Sequence, residues 1–196
     1  MRNAVLVISI LVLACSTPST VAPLSVPLMY KTMASPGEYP TLPACAALSS
    51  VEVRDARSDA AIGKRFVEGK DSPSAAVTTA SDVAAWVRTG ALDALRRSGA
   101  ATTKSGAPGL RISVDDMNTS ENVLHRSGYE GRITITAELM GANGRSCWRE
   151  RFDGAAENYG YSGSVENYQE TLNHALDRAM IRLLSSTSFK SAVCSC

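Results

Sequence analysis

Arg132-Ile133-Thr134-Ile135-Thr136-Ala137-Glu138-Leu139, then Asn143-Gly144, then Trp148-Arg149-Glu150-Arg151-Phe152 is the stretch whose reading decides the fold. Ile133, Ile135, Ala137 and Leu139 alternate with Arg132, Thr134, Thr136 and Glu138. Successive side chains of a strand point to opposite faces, so this alternation predicts a strand with one dry face and one wet face. Asn-Gly accepts the positive φ angles of a tight hairpin turn. Beyond it Trp148 and Phe152 share one face while Arg149 and Arg151 share the other, so the two strands pair antiparallel. An antiparallel sheet of this kind needs cover on one side only.

The cover is legible on both flanks. Before the hairpin, Ser81-Asp82 is an N-cap pair, followed by Val83, Trp86, Val87, Gly90, Ala91, Ala94 and Leu95 at helical spacing, with Arg96-Arg97 in the last turn and Gly99 beyond. After it, Tyr168, Leu172, Ala175, Leu176, Ala179, Met180 and Leu183 form one wide apolar stripe of a helix starting near Val165. Leu110, Ile112 and Val114 alternate with Arg111 and Ser113 in a further strand that ends at Asp115-Asp116. A first strand runs from Leu48 to about Arg54. The order is β-α-β-β-β-α, a single α+β (α/β) domain with two helices on one face of a mixed four-stranded sheet.

If each element reverses the one before it, three connections fall at one end of the sheet: Asp55 to Ala80, Asp116 to Gly128 and Gly154 to Gly163. Binding commonly sits on such loops. Within the first, Lys64 to Glu68 and Ala75 to Thr79 suit a small hairpin. Cys45, Cys147, Cys194 and Cys196 fall at the opposite end, where Cys45 and Cys147 are each expected to bond one of the C-terminal pair. A Cys45 to Cys147 bridge, a Cys194 to Cys196 ring and free buried thiols stay open as alternatives.

Composition narrows the class. The chain has 196 residues, 44% of them hydrophobic, with a net charge of +1, so no basic excess points to nucleic acid. Ala4 to Leu13 is an apolar run behind Arg2, too short to span a bilayer as a helix. It ends in Leu11-Val12-Leu13-Ala14-Cys15, which resembles the lipobox of bacterial lipoprotein precursors. The resemblance implies a signal peptide over 1–14 and acyl chains, palmitate among them, on Cys15. Ser16 after it resembles the outer-membrane sorting pattern. Ser16 to Pro43 carries prolines at 18, 23, 27, 36, 40 and 43, so residues 15–44 read as an extended tether, with Leu24 to Tyr30 as a possible edge strand, and the folded domain spans 45–196. The tether is expected to enter at the end away from the long loops.

Val51-Glu-Val-Arg-Asp-Ala-Arg-Ser-Asp, Ile62-Gly-Lys-Arg, Ser81-Asp-Val-Ala-Ala-Trp-Val and the helix end from Leu92 to Gly99 resemble the YajG-like family of envelope lipoproteins. More loosely they resemble the auxiliary lipoproteins of ABC-type transporters. The likeness covers about Cys45 to Ser186. It implies a lipid-anchored, periplasm-facing α/β domain on the outer membrane, and it supplies no active-site motif.

Enzyme chemistry has little to stand on. The two histidines are His125, in a loop, and His174, four residues after Glu170 on a helix where a solvated pair explains both. No His-Glu-x-x-His, Gly-x-Ser-x-Gly or phosphate-cradling loop occurs. Asp115-Asp116 with Glu121 lacks the spacing of a calcium loop, so neither a metal nor a cofactor is implied. The expected function is therefore non-enzymatic: an adaptor or structural lipoprotein held to the membrane by its lipid and bound to an envelope protein partner. The candidate partner-binding residues are Asp55, Arg57, Asp59, Lys64, Arg65, Tyr159 and Tyr161. Asp55, Arg57 and Asp59 with Lys64 and Arg65 also fit a salt-bridged loop, and Tyr159 and Tyr161 with Tyr168 also fit a cap on the sheet edge. A large apolar cleft between helices and sheet would instead favour an auxiliary subunit of a transport machine.

Overall fold

The computed structural model describes residues 21–67, 74–102, 104–123 and 127–196. The expected signal peptide and the expected lipidation site Cys15 lie outside the described residues, as does His125. In chain order the elements are β1 (Leu24–Ser25), β2 (Ser50–Asp55), β3 (Gly63–Phe66), β4 (Ser74–Thr78), α1 (Val83–Arg97), β5 (Gly109–Asn122), β6 (Ser127–Met140), β7 (Ser146–Gly160), α2 (Val165–Ser185) and α3 (Thr187–Ser195). The class is α+β as expected, but the sheet has seven strands rather than four and there is a third helix.

The hairpin of β6 and β7 is the backbone of the sheet. It runs without interruption from the Ser127–Gly160 pair to Leu139–Trp148, with β5 antiparallel on the far side of β6. The single free edge of β5 is shared: β2 runs parallel along Gly109 to Val114, and β3 runs parallel along Thr119 to Asn122. β4 and β1 then extend the sheet beyond β3.

Two expected loops turn out to be strand. Asp115 is the extra residue of a β-bulge, because Val114 pairs with Ile135 while Asp116 pairs with Thr134. The bulge inverts the alternation: Leu110, Ile112 and Val114 face the helices before it, and Met117, Thr119 and Glu121 face them after it. A sequence reading that holds parity constant sees the strand stop at Asp115-Asp116, whereas β5 continues to Asn122. Likewise β7 continues through most of the Gly154 to Gly163 link.

Both helices lie on one face. Asp82 caps α1 by accepting from the Ala85 N–H at 3.0 Å, and Ser164 caps α2 by accepting from Asn167 at 3.2 Å. Trp86, Val87, Ala91 and Leu95 of α1 and Leu172, Leu176, Met180 and Leu183 of α2 close over Ile112, Val114, Ile133, Ile135 and Leu139. Gly154 fixes how near α2 approaches β7, since a Cβ there would strike the backbone of Ala175 and Ala179. Trp86 donates through Nε1 to Asn173 Oδ1 at 3.1 Å, which locks the two helices together. No helix among the described residues is long and apolar enough to cross a membrane.

The expected tether is laid against the domain from Val21 onward. Val26, Leu28, Tyr39 and Leu42 are buried in the core cluster. Leu24 and Ser25 pair with Val77 and Thr78, the edge strand that the apolar piece allowed. At the other end of the sheet α3 packs Phe189 against Trp148, with ring centroids 5.3 Å apart. Cys45 is bonded to Cys194 and Cys147 to Cys196, with Cα separations of 5.4 and 6.0 Å.

Candidate functional site

Two surfaces remain once the helices have taken one face: the uncovered side of the sheet, and the end where β3, β5 and β7 finish and β4 begins. The uncovered side is polar because alternation sends every second residue there. It is graded in charge along the strands. Near the disulfide end stand Arg54, Arg111 and Arg149, with Arg54 donating to Ser113 at 2.7 Å and Arg111 facing Glu52 at 3.4 Å. Farther along, Asp115 accepts from Thr136 at 2.5 Å and Asp153 from Thr134 at 2.6 Å. Next to them is a concavity of about 670 Å³ lined by Asp116, Asn118, Ser120, Glu130, Arg132 and Glu157. At the far end one rung carries Phe66, Asn122, Gly128 and Tyr159 across four strands, and the Tyr159 ring lies over Gly128.

The predicted partner-binding residues divide between roles. Asp55 and Arg57 form a two-pronged ion pair at 2.8 Å, and Arg57 also donates to the Ala61 carbonyl at 3.2 Å. The Arg57 hydrogen bonds hold the Asp55 carboxyl below its ordinary value despite partial burial. Asp59 accepts from the Ala61 N–H at 2.9 Å, so this cluster shapes its own loop. Lys64 lies on the uncovered face with its ammonium 5.7 Å from the Phe66 ring centroid.

Arg65 points the other way, into the covered side. Its Nε donates to Glu121 at 2.6 Å, and the Glu121 side chain is 0% exposed. Glu121 also accepts from Tyr168 at 2.7 Å, Ser162 at 2.8 Å and the Gly163 N–H at 2.7 Å. Burial pushes its carboxyl up, but these bonds from Arg65, Tyr168, Ser162 and Gly163 outweigh burial and leave it below the usual range. Tyr168 is therefore a core residue, while Tyr159 and Tyr161 are 71% and 89% exposed. His174 is not paired with Glu170, which accepts from Asn158 instead.

Sequence reasoning missed Asp177. This carboxylate, 2% exposed on α2, accepts from Tyr30 at 2.7 Å, Tyr39 at 2.8 Å, the Met33 and Ala34 N–H groups at 2.6 and 2.9 Å, and more distantly Thr32. Burial first, and then the bonds to Asp177, raise the phenols of Tyr30 and Tyr39 above their ordinary value. The available signal was Asn173 and Asp177, four apart and flanking the apolar stripe. Three arginines were also unforeseen. Arg88 donates to the Val51 carbonyl on the β2 edge at 3.1 Å, and Arg178 and Arg182 cap the Ala155 and Asp153 carbonyls on the β7 edge. Capping these edges removes acceptors that another strand would need.

No family model and no curated protein matches the chain. Among solved structures, a Xanthomonas campestris protein described as family DUF330 is similar at a TM-score of 0.50 and 13% identity, covering 88% of this chain and 96% of that one. A candidate lipoprotein of Caulobacter crescentus has a TM-score of 0.42 and 20% identity over 69% of this chain and 85% of that one. A minor lipoprotein of Acinetobacter baumannii has 0.41 and 14% over 71% and 87%. The first of these likenesses is one of fold alone.

Proposed function

We propose that this chain is a lipid-anchored, non-enzymatic lipoprotein of the bacterial envelope that docks on another envelope protein through the polar, uncovered face of its sheet. The observation that carries the docking surface is the concavity between Asp116, Asn118 and Arg132 on that face, which is rigid because it is built on paired strands. The loop cluster of Asp55, Arg57 and Asp59, the first expectation for docking, spends its hydrogen bonds on itself. The anchor rests on the sequence ending at Cys15, and two bonded cysteine pairs suit an oxidising compartment outside the cytoplasm. The finer assignment, a YajG-like protein held on the outer membrane and facing the periplasm, rests on the pattern from Val51 to Gly99 and on Ser16. Buried Leu, Ile, Val and Met side chains fill the packing between helices and sheet, which favours an adaptor over an apolar-ligand carrier.

A photoreactive residue placed at Asn118 or Arg132 in intact cells is expected to crosslink one defined envelope protein. The same residue at Asp59 is expected to capture none. Capture from Asp59 but not from the sheet face would overturn the docking surface.

A further inference from the structure

We propose that the end of the sheet carrying Tyr159 and Tyr161 rests against the lipid headgroups of the membrane that holds the anchor. This inference depends on the lipid attachment at Cys15 proposed above.

The chain's point of arrival on the fold is fixed. The Ala22 carbonyl accepts from Arg65 Nη1 at 3.0 Å, Leu24 and Ser25 pair with Val77 and Thr78, and the Val26 N–H donates to Thr78 at 2.9 Å. Arg65 belongs to β3, which pairs with the last residues of β5, so Ala22 sits at the loop end. This reverses the expectation that the tether arrives at the end away from the loops. Cys15 precedes Ala22 by seven residues, which reach about 25 Å at most even when fully extended. The opposite end is out of range: β6 is 14 residues long, and a strand of that length spans about 46 Å. An acylated Cys15 therefore draws the loop end to the bilayer and leaves the Asn143-Gly144 turn and both disulfides on the far side.

That end is furnished for the position. Among the described residues the exposed large hydrophobic side chains are Met29, Tyr159 and Tyr161, and the two tyrosines are here, Tyr159 on the last rung but one of β7 and Tyr161 just past its end. Phe66 joins them on the rung that ends in Tyr159. Tyrosine is favoured at the headgroup level, where the ring meets acyl chains and the hydroxyl meets water. Beside them Lys64 over Phe66 stands against two carboxylates, Glu130 and Glu157, so the described residues here have no basic excess to draw an anionic surface. The contact is aromatic rather than electrostatic and suits a zwitterionic phosphatidylethanolamine surface.

The test uses the full acylated chain in phosphatidylethanolamine vesicles, with a photoreactive phenylalanine analogue replacing Tyr161 in one sample and Asn143 in another. Lipid adducts at 161 and none above background at 143 are expected. Adducts at 143, or at neither position, in a chain that floats with the vesicles would overturn the orientation and leave the anchor standing. Flotation of the unlabelled chain beside its Cys15→Ser variant separates the two ideas. If neither floats, the anchor itself fails and the orientation falls with it.

Discussion

Glu121 and Asp177 are both buried carboxylates, and the fold keeps them by different means. Glu121 has a counter-charge: Arg65 at 2.6 Å, helped by the neutral donors Tyr168, Ser162 and Gly163. Asp177 forms no ion pair among the described residues and is held by two phenols, two backbone N–H groups and the hydroxyl of Thr32. A buried charge without such partners would cost several kcal/mol, so each oxygen must be satisfied one way or the other. The difference teaches where each carboxylate is used. Arg65 brings a side chain from a neighbouring strand and stiffens the loop end. Asp177 gathers a continuous piece of chain, Tyr30 to Tyr39, and so converts an intended tether into part of the domain.

The largest effect is expected from Asp177→Ala, which orphans five donors at once. A loss of about 4 kcal/mol in chemical denaturation is expected, the scale of breaking a buried polar network, together with early proteolysis near Lys31. If cleavage in that segment stays as slow as in the parent, Asp177 is not what holds it.

Glu121→Gln should cost less, about 3 kcal/mol, because it leaves the Arg65 charge without its partner while the amide oxygen still accepts from neutral donors. Adding Arg65→Met to Glu121→Gln removes the orphaned charge while the amide oxygen still accepts from Tyr168, Ser162 and Gly163, and should recover part of that loss. A double variant no better than the single one would show that the ion pair is not the unit of stability.

The third effect is a dependence on pH that tells the two sites apart. Glu121 has a folded value below its unfolded one, so its contribution is complete above the unfolded carboxylate range and is lost as pH falls through the folded value. Acid titration of stability should therefore be flatter in Glu121→Gln. Tyr30 and Tyr39 have raised folded values, so the unfolded chain loses these protons first. Their contribution is complete below about pH 10 and declines above it. Tyr39→Phe should lessen the alkaline decline, and an unchanged slope would assign the decline to other groups.

Part of this was legible in the residues. Alternation from Arg132 to Leu139 and the Asn143-Gly144 turn gave the hairpin its faces and direction, and the Asp82 and Ser164 caps appear where the helices begin. The site was less legible. Of the residues expected to bind a partner, Arg65 is committed to Glu121 and Asp55 to Arg57, because an exposed charge and a buried charge look alike until the neighbouring strand is known. The β-bulge at Asp115 hid half of β5, since one extra residue reverses the period on which strands are recognised.

Taken by itself, the sequence determined what local geometry dictates: the strand period, the hairpin turn, the helix stripes and their caps, each set by residues within a few positions of one another. Only the tertiary structure decided what residues far apart do together. Asp177 meets Tyr30 across 147 positions and Arg65 meets Ala22 across 43. Those contacts place the N-terminal segment on the fold. Such contacts depend on which surfaces remain uncovered after the core has closed, and no local pattern records that.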